Sequence, residues 1–154
     1  MAPFAQDLLS LLVALILGTA IGLERELSDK AAGLRTNILI CVGSCLFSIL
    51  SRDLASAAGT DITRIAAQIV SGIGFLGAGA IMREGEQVTG LTTAATIWVV
   101  AAIGAAVGFG LYSIGAATAA VTLIVQAVFP HLDTMIDDLR QRHTFRITSD
   151  FDDA

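Results

Sequence analysis

Charge is what this sequence has least of: only 15% of its 154 residues are Asp, Glu, Lys or Arg, against roughly 25% in an ordinary soluble domain. With 55% hydrophobic residues and a mean hydropathy of +0.76, that shortage excludes a typical water-soluble globule. Positive charge is scarcer still, and the formal net charge of -5 leaves no basic surface for a phosphate backbone, so nucleic acid is not an expected partner. There are two histidines, His131 and His143, both in the tail outside the expected membrane region. HExxH, GxSxG and phosphate-loop patterns do not occur. A catalytic set therefore has no residues to stand on, and neither an enzyme nor a bound cofactor is expected. Cysteine is limited to Cys41 and Cys45, four residues apart in an apolar run. Helical spacing argues against a disulfide. With no histidine nearby to complete a metal site, small buried thiols are the simplest reading.

What the chain has instead is long runs without charge. Leu8 to Leu23 and Thr36 to Ser51 are each bracketed by charged residues, as is Ile65 to Met82 between Arg64 and Arg83. The first two are slightly short for a helix that crosses a bilayer, so flanking arginines are expected to snorkel. From Gln87 to Leu132 no Asp, Glu, Lys or Arg occurs at all. That stretch holds two helices, with a break at Gly108-Phe-Gly-Leu-Tyr112 and a stop at Pro130. Asp7 precedes the first run where a cleaved signal would be basic, and Glu24-Arg-Glu26 follows where it would have small residues. The expected fold is all-α: an integral membrane bundle of five transmembrane helices over residues 1–130, then a short amphipathic tail over 131–154. In that tail Leu132, Met135, Ile136 and Leu139 share one helical face.

Basic residues set the orientation. Arg25, Lys30 and Arg35 lie in the first loop, Arg83 in the third, and Arg140, Arg142 and Arg146 in the tail, whereas Arg52 and Arg64 fall on the other side. The positive-inside rule then puts the N-terminus outside and the C-terminus in the cytoplasm.

Glycine is plentiful where helices have to touch. Gly72, Gly74, Gly77 and Gly79 crowd the third run, while Gly18 with Gly22 and Gly104 with Gly108 are GxxxG pairs. Such residues let helices approach closely in lipid, and the third helix is the expected packing centre. Gly72-Ile-Gly-Phe-Leu-Gly77 also spells GxGxxG, but no strand precedes it and no acidic residue follows at the required distance.

Polar residues on the spans fall into two stripes. Asn37, Cys41, Ser44, Ser48 and Ser51 recur at steps of four and three, one face of a helix, and Arg64, Gln68 and Ser71 form a second. Thr92, Thr93 and Thr96 open the fourth span. These groups are either interhelical hydrogen-bonding glue or the lining of a path. Glu24, Arg25, Glu26, Arg35, Arg83 and Glu84 cluster at the predicted cytoplasmic edge. A carboxylate pair there, Glu24 with Glu26 or Glu84, suits a hydrated Mg2+, which takes oxygen ligands and keeps its waters; mutual charge pairing is the alternative.

The blocks Gly18-Thr-Ala-Ile-Gly-Leu-Glu-Arg-Glu26, Ala32-Gly-Leu-Arg-Thr36, Arg64-Ile-Ala-Ala-Gln68 with Gly72 to Met82, and Gly90-Leu-Thr-Thr-Ala-Ala-Thr-Ile-Trp98 resemble the MgtC/SapB membrane-protein family in order and content. The resemblance covers about residues 8–130. It implies a multi-pass protein of the bacterial inner membrane that regulates magnesium-linked ion balance or a partner membrane protein, linked to low-magnesium growth and to virulence in pathogens. Many members carry a soluble, ACT-like C-terminal domain, and the short tail over 131–154 is not expected to form a full one. Matched positions are Glu24, Arg25, Glu26, Arg35, Thr36, Arg64, Gln68, Arg83, Thr92 and Thr93; with Asn37 they are the candidate functional residues. Expected partners are the lipid bilayer, a second copy in a homodimer, and another membrane protein. The competing expectation is a Mg2+ channel or transporter with a polar path between helices 2 and 3.

Overall fold

The computed structural model describes the backbone of residues 3–59, 61–85 and 87–149, and the side chains of those up to 130 except Pro3, Ala58 and Glu84. Five helices dominate it: α1 (Pro3–Leu27), α2 (Leu34–Ala58), α3 (Thr63–Gly79), α4 (Leu91–Gly108) and α5 (Tyr112–Ser149). A short antiparallel hairpin of β1 (Met82–Glu84) and β2 (Gln87–Thr89) separates α3 from α4, with Arg83 opposite Val88. The all-helical expectation holds apart from this hairpin.

Helices α1 and α2 are each 25 residues long, or about 37 Å at 1.5 Å per residue. Each is longer than its charge-free run because the charged end residues stay helical and carry the helix beyond a ~30 Å hydrocarbon layer. Four helices, α1, α2, α4 and α5 as far as Pro130, are long and apolar enough to cross a membrane. Helix α3 has 17 residues and falls below that length. It stops at Gly79, and the last residues of the expected third span, Ile81 and Met82, leave the helix as the hairpin begins. Gly90 makes that exit possible: its φ is 86°, and a Cβ there would lie 2.0 Å from the Ala80 carbonyl oxygen. Gly59 caps α2 at φ 60°, its N–H bonded to the Ala55 carbonyl.

The break between α4 and α5 falls at 109–111, as expected. Pro130 does not end α5, which continues as helix to Ser149. Proline lacks an N–H and crowds the preceding turn, but a helix already formed on both sides can pass through it with a kink. The side chains of the amphipathic face from Leu132 to Leu139 lie outside the described residues, as do residues 150–154. The chain divides into two units, Met1–Thr122 and Leu123–Ala154.

Within the first unit the packing centre is α2, not α3. Helices α1 and α4 both pack on α2, and Ile21, Cys41, Cys45, Val100, Ile103 and Val107 are buried between them. The GxxxG pairs set the spacing. A Cβ on Gly18 would lie 2.9 Å from the Cys41 Cβ, one on Gly104 2.1 Å from the Cys41 carbonyl oxygen, and one on Gly108 2.4 Å from the Cys45 carbonyl oxygen. The glycine-rich helix is different: nothing approaches Gly72, Gly74 or Gly79 within 4 Å of an added Cβ, and Gly77 makes only ordinary contact with Ala94. Phe75 is 83% exposed, and Ile73 and Gly77 are the buried residues of α3. Glycine count marks where close approach is permitted, but it does not say which helix uses it.

Candidate functional site

The last turn of α1, the first turn of α2 and the first turn of α4 meet at one end of the bundle. Gly22 allows the first two to touch, since a Cβ there would lie 2.9 Å from the Leu34 Cα and 3.2 Å from the Asn37 Cβ. Arg25, which follows on α1, is 3% exposed. A guanidinium is seldom buried so completely without a partner. Its Nη2 donates to Thr93 Oγ1 at 2.8 Å, tying α1 to α4, while its Nε is buried without a hydrogen-bond acceptor. Asn37 is fully buried. Its Nδ2 donates to the carbonyls of Ala32 at 2.7 Å and Gly33 at 2.9 Å, closing the loop before α2, and its Oδ1 has no donor.

The neighbouring carboxylates go separate ways. Glu26 accepts the Leu34 N–H at 2.9 Å, where the positive end of the α2 dipole favours an anion. Gly33 makes room for this, because a Cβ there would meet Glu26 Oε2 at 1.9 Å. Glu24 accepts the Ser28 hydroxyl at 2.9 Å through Oε1, and its Oε2 is buried without a donor. The expected Glu24–Glu26 pair is thus divided between two protein donors. Among the described residues no group of three or more His, Cys, Asp or Glu is placed to hold a metal ion. Arg83 is exposed and donates from Nε to the Gly85 carbonyl at 3.1 Å within the hairpin. Glu84 lies outside the described side chains, and Thr92 is exposed. Of the candidate residues, the fold joins Arg25 directly to Thr93, while Asn37 and Glu26 each bind the loop and first turn that lead into α2.

The polar stripe of α2 is divided between its neighbours. Asn37, Cys41, Ser44, Ser48 and Ser51 are all buried. Gly18 and Gly104 approach at Cys41 and Gly108 approaches at Ser48, so these positions face α1 and α4, whereas Ser44 and Ser51 line the space toward α3. Ser48 donates to the Ser44 carbonyl and Ser51 to the Ile62 carbonyl. Gln68 is exposed on α3. A groove does run between α2 and α3, as three cavities with shared walls. The first, about 440 Å³, has Asp61, Arg64 and Gln68 at its rim. The second, about 450 Å³, is walled by Leu39, Phe47, Ile65, Ile69 and Leu76, with Ser44 and Gln68 its only polar side chains. The third, about 730 Å³, opens beside Arg35, Thr36 and Thr93. The expected polar path between helices 2 and 3 is therefore an apolar groove with polar ends. A side chain's position in the stripe follows from the sequence, but the neighbour it faces does not.

At the opposite end, Asp7 of α1 forms an ion pair with Arg52 of α2, whose Nη1 also donates to the Gly108 carbonyl at 3.3 Å. Ser10 and Tyr112 share a hydrogen bond of 2.8 Å. These four residues were not among the expected site residues. A signal existed for two of them: Asp7 precedes the first run and Arg52 follows the second, which places opposite charges together in an antiparallel pair. In the loop before α3 the Asp61 carboxylate accepts the Thr63 N–H and hydroxyl, both at 2.8 Å. Those bonds hold it below the usual carboxylate range, the backbone donor contributing most.

Residues 11–135 match the MgtC family model. The chain is 47% identical over 134 residues to a protein of Escherichia coli (strain K12) named "Putative magnesium transporter YhiD", covering 83% of this chain and 62% of that one. It is 45% identical over 135 residues to Protein MgtC of Brucella abortus (strain 2308), covering 88% of this chain and 56% of the other. Protein MgtC of Salmonella typhimurium (strain 14028s / SGSC 2262) is 42% identical over 152 residues, covering 95% and 64%. The chain thus spans about three-fifths of the length of the curated relatives it matches. No solved structure matches it. The chain belongs to the MgtC family.

Proposed function

We propose that this MgtC-family chain is a regulatory module of the bacterial inner membrane, acting in magnesium-linked ion balance. It does so as a homodimer or by contact with another membrane protein, with its N-terminus outside and its C-terminus in the cytoplasm. The observation that carries this reading is the fate of the α2 stripe. Asn37, Cys41 and Ser48 are buried against α1 and α4, and the middle of the groove beside α3, which Ser44 and Gln68 line, is otherwise walled by leucine, isoleucine, phenylalanine and glycine. A hydrated divalent cation needs oxygen ligands along its route, and those walls supply few. The large exposed apolar face of α3, with Phe75 and Leu76 at its centre, supports a module that works by contact within the membrane.

A magnesium transporter is the second reading. It is favoured by the name of the E. coli relative and by Gln68 and Ser44, which project into the groove. Reconstitution in liposomes with an internal Mg2+ indicator separates the two. Wild-type protein is expected to give no flux above empty liposomes. Flux that Gln68→Leu abolishes would replace the regulatory reading with a transport path.

A further inference from the structure

The groove between α2 and α3 is amphipathic along its length, and its two ends differ in charge. The end beside Asp61 and Arg64 carries both signs. At the other end Arg35 is exposed at the rim, Thr36 and Thr93 add hydroxyls, and among the described side chains no acidic one lines the opening. Glu26, on the last turn of α1, is committed to the Leu34 N–H. The first turns of α2 and α4 also contribute here, through Thr36 and Thr93 respectively. Both helices add the positive end of their dipole to the same opening. From that opening the cavity continues into the apolar middle section, since Leu39, Ile40 and Leu76 line both. A cationic, hydroxyl-bearing mouth that opens into an apolar channel open to the side is complementary to a phosphate head group with an acyl chain.

We propose that the α2–α3 groove binds one anionic phospholipid. Its phosphate rests against Arg35, Thr36 and Thr93, and one acyl chain lies along Leu39, Phe47 and Ile69. Free phosphate fits the mouth but leaves the apolar channel empty. A zwitterionic lipid fills the channel, but its head group brings no net charge to Arg35. Basic residues at a membrane surface contribute about 1 kcal/mol each toward anionic lipid, which converts to about a fivefold preference. Gly72 lines the channel and has nothing within 4 Å of an added Cβ. A bulky residue there fills the groove without entering the α1–α2–α4 packing.

Native mass spectrometry of the full chain, released from detergent with equal phosphatidylglycerol and phosphatidylcholine, tests this. Wild type is expected to retain one phosphatidylglycerol with about fivefold preference. Arg35→Gln should remove the preference, Arg64→Gln should leave it unchanged, and Gly72→Phe should lose the bound lipid at unchanged thermal stability. Equal retention of both lipids by wild type would overturn the proposal. So would an equal effect of Arg35→Gln and Arg64→Gln, retention by a stable Gly72→Phe protein, or displacement of the lipid by inorganic phosphate alone.

Discussion

Replacing Gly104 with alanine adds one methyl group where α4 crosses α2, and the structure says what that methyl would meet. It would lie 2.1 Å from the Cys41 carbonyl oxygen, 2.8 Å from the carbonyl carbon and 3.0 Å from the Cα. Carbon and oxygen normally sit about 3.3 Å or more apart, so the shortfall is roughly 1.2 Å. The obstructing atoms are backbone and cannot rotate away. Either α2 and α4 separate, opening the layer that buries Val100, Ile103 and Val107, or the helices bend. Overpacking of this kind costs about 3 kcal/mol at the upper end of its usual range. Alanine recovers about 1 kcal/mol through helix propensity. The net loss of about 2 kcal/mol corresponds to roughly a 30-fold fall in the folded-to-unfolded ratio. Gly72→Ala is the internal control, because nothing lies within 4 Å of its added Cβ. It should be neutral or stabilising by up to about 1 kcal/mol. Reversible unfolding in mixed detergent micelles, followed by helical circular dichroism, measures both. Equal midpoints for the two variants would refute the claim that α2–α4 contact, rather than the glycine-rich α3, sets the stability of this bundle.

Two further outcomes follow from the ends of the helices. Thr93→Val keeps the shape of the side chain but removes the acceptor for the buried Arg25 guanidinium, so it should destabilise by about 1–3 kcal/mol. Adding Arg25→Met should recover part of that loss, and a strictly additive double-mutant cycle would mean the two groups are not coupled. The Asp61 carboxylate should titrate below the usual ~3.9 because it accepts two hydrogen bonds from Thr63. Its depressed value contributes stability that is present above the unfolded pKa and lost as pH falls through the lower folded one. Thr63→Val removes the hydroxyl donor and keeps the backbone one, so the Asp61 titration followed by carboxyl NMR should move partway back up. An unmoved titration would show that the hydroxyl plays no part.

Much of this molecule is written in local pattern. The charge-free runs located all five helices because a chain with so few charged residues can place them only at helix ends, and the glycines at 108 and 110 marked the turn into α5. The pairs Gly18–Gly22 and Gly104–Gly108 were readable as contact surfaces because only residues without large side chains let two helix backbones meet. Arg25 and Asn37 were identifiable from their position at the edges of apolar runs, whereas Thr93 was singled out only by the MgtC blocks, which also gave the family.

The sequence by itself determined which segments are helical, which residues share a helix face, and that the protein is built for lipid. Those properties depend on spacing along one chain. Only the tertiary structure decided who faces whom. It turned Cys41 and Ser48 of the α2 stripe toward α1 and α4, gave Glu26 to the start of α2 instead of to a shared cation, joined Asp7 to Arg52, and left Gly72, Gly74 and Gly79 of α3 without a close neighbour. It also ended α3 early at the hairpin and carried α5 past Pro130. The physical reason is that a helix periodicity fixes the angle between side chains but not the rotation of the helix about its axis. That rotation is chosen by the sum of contacts with every neighbouring helix, and no single segment contains that sum.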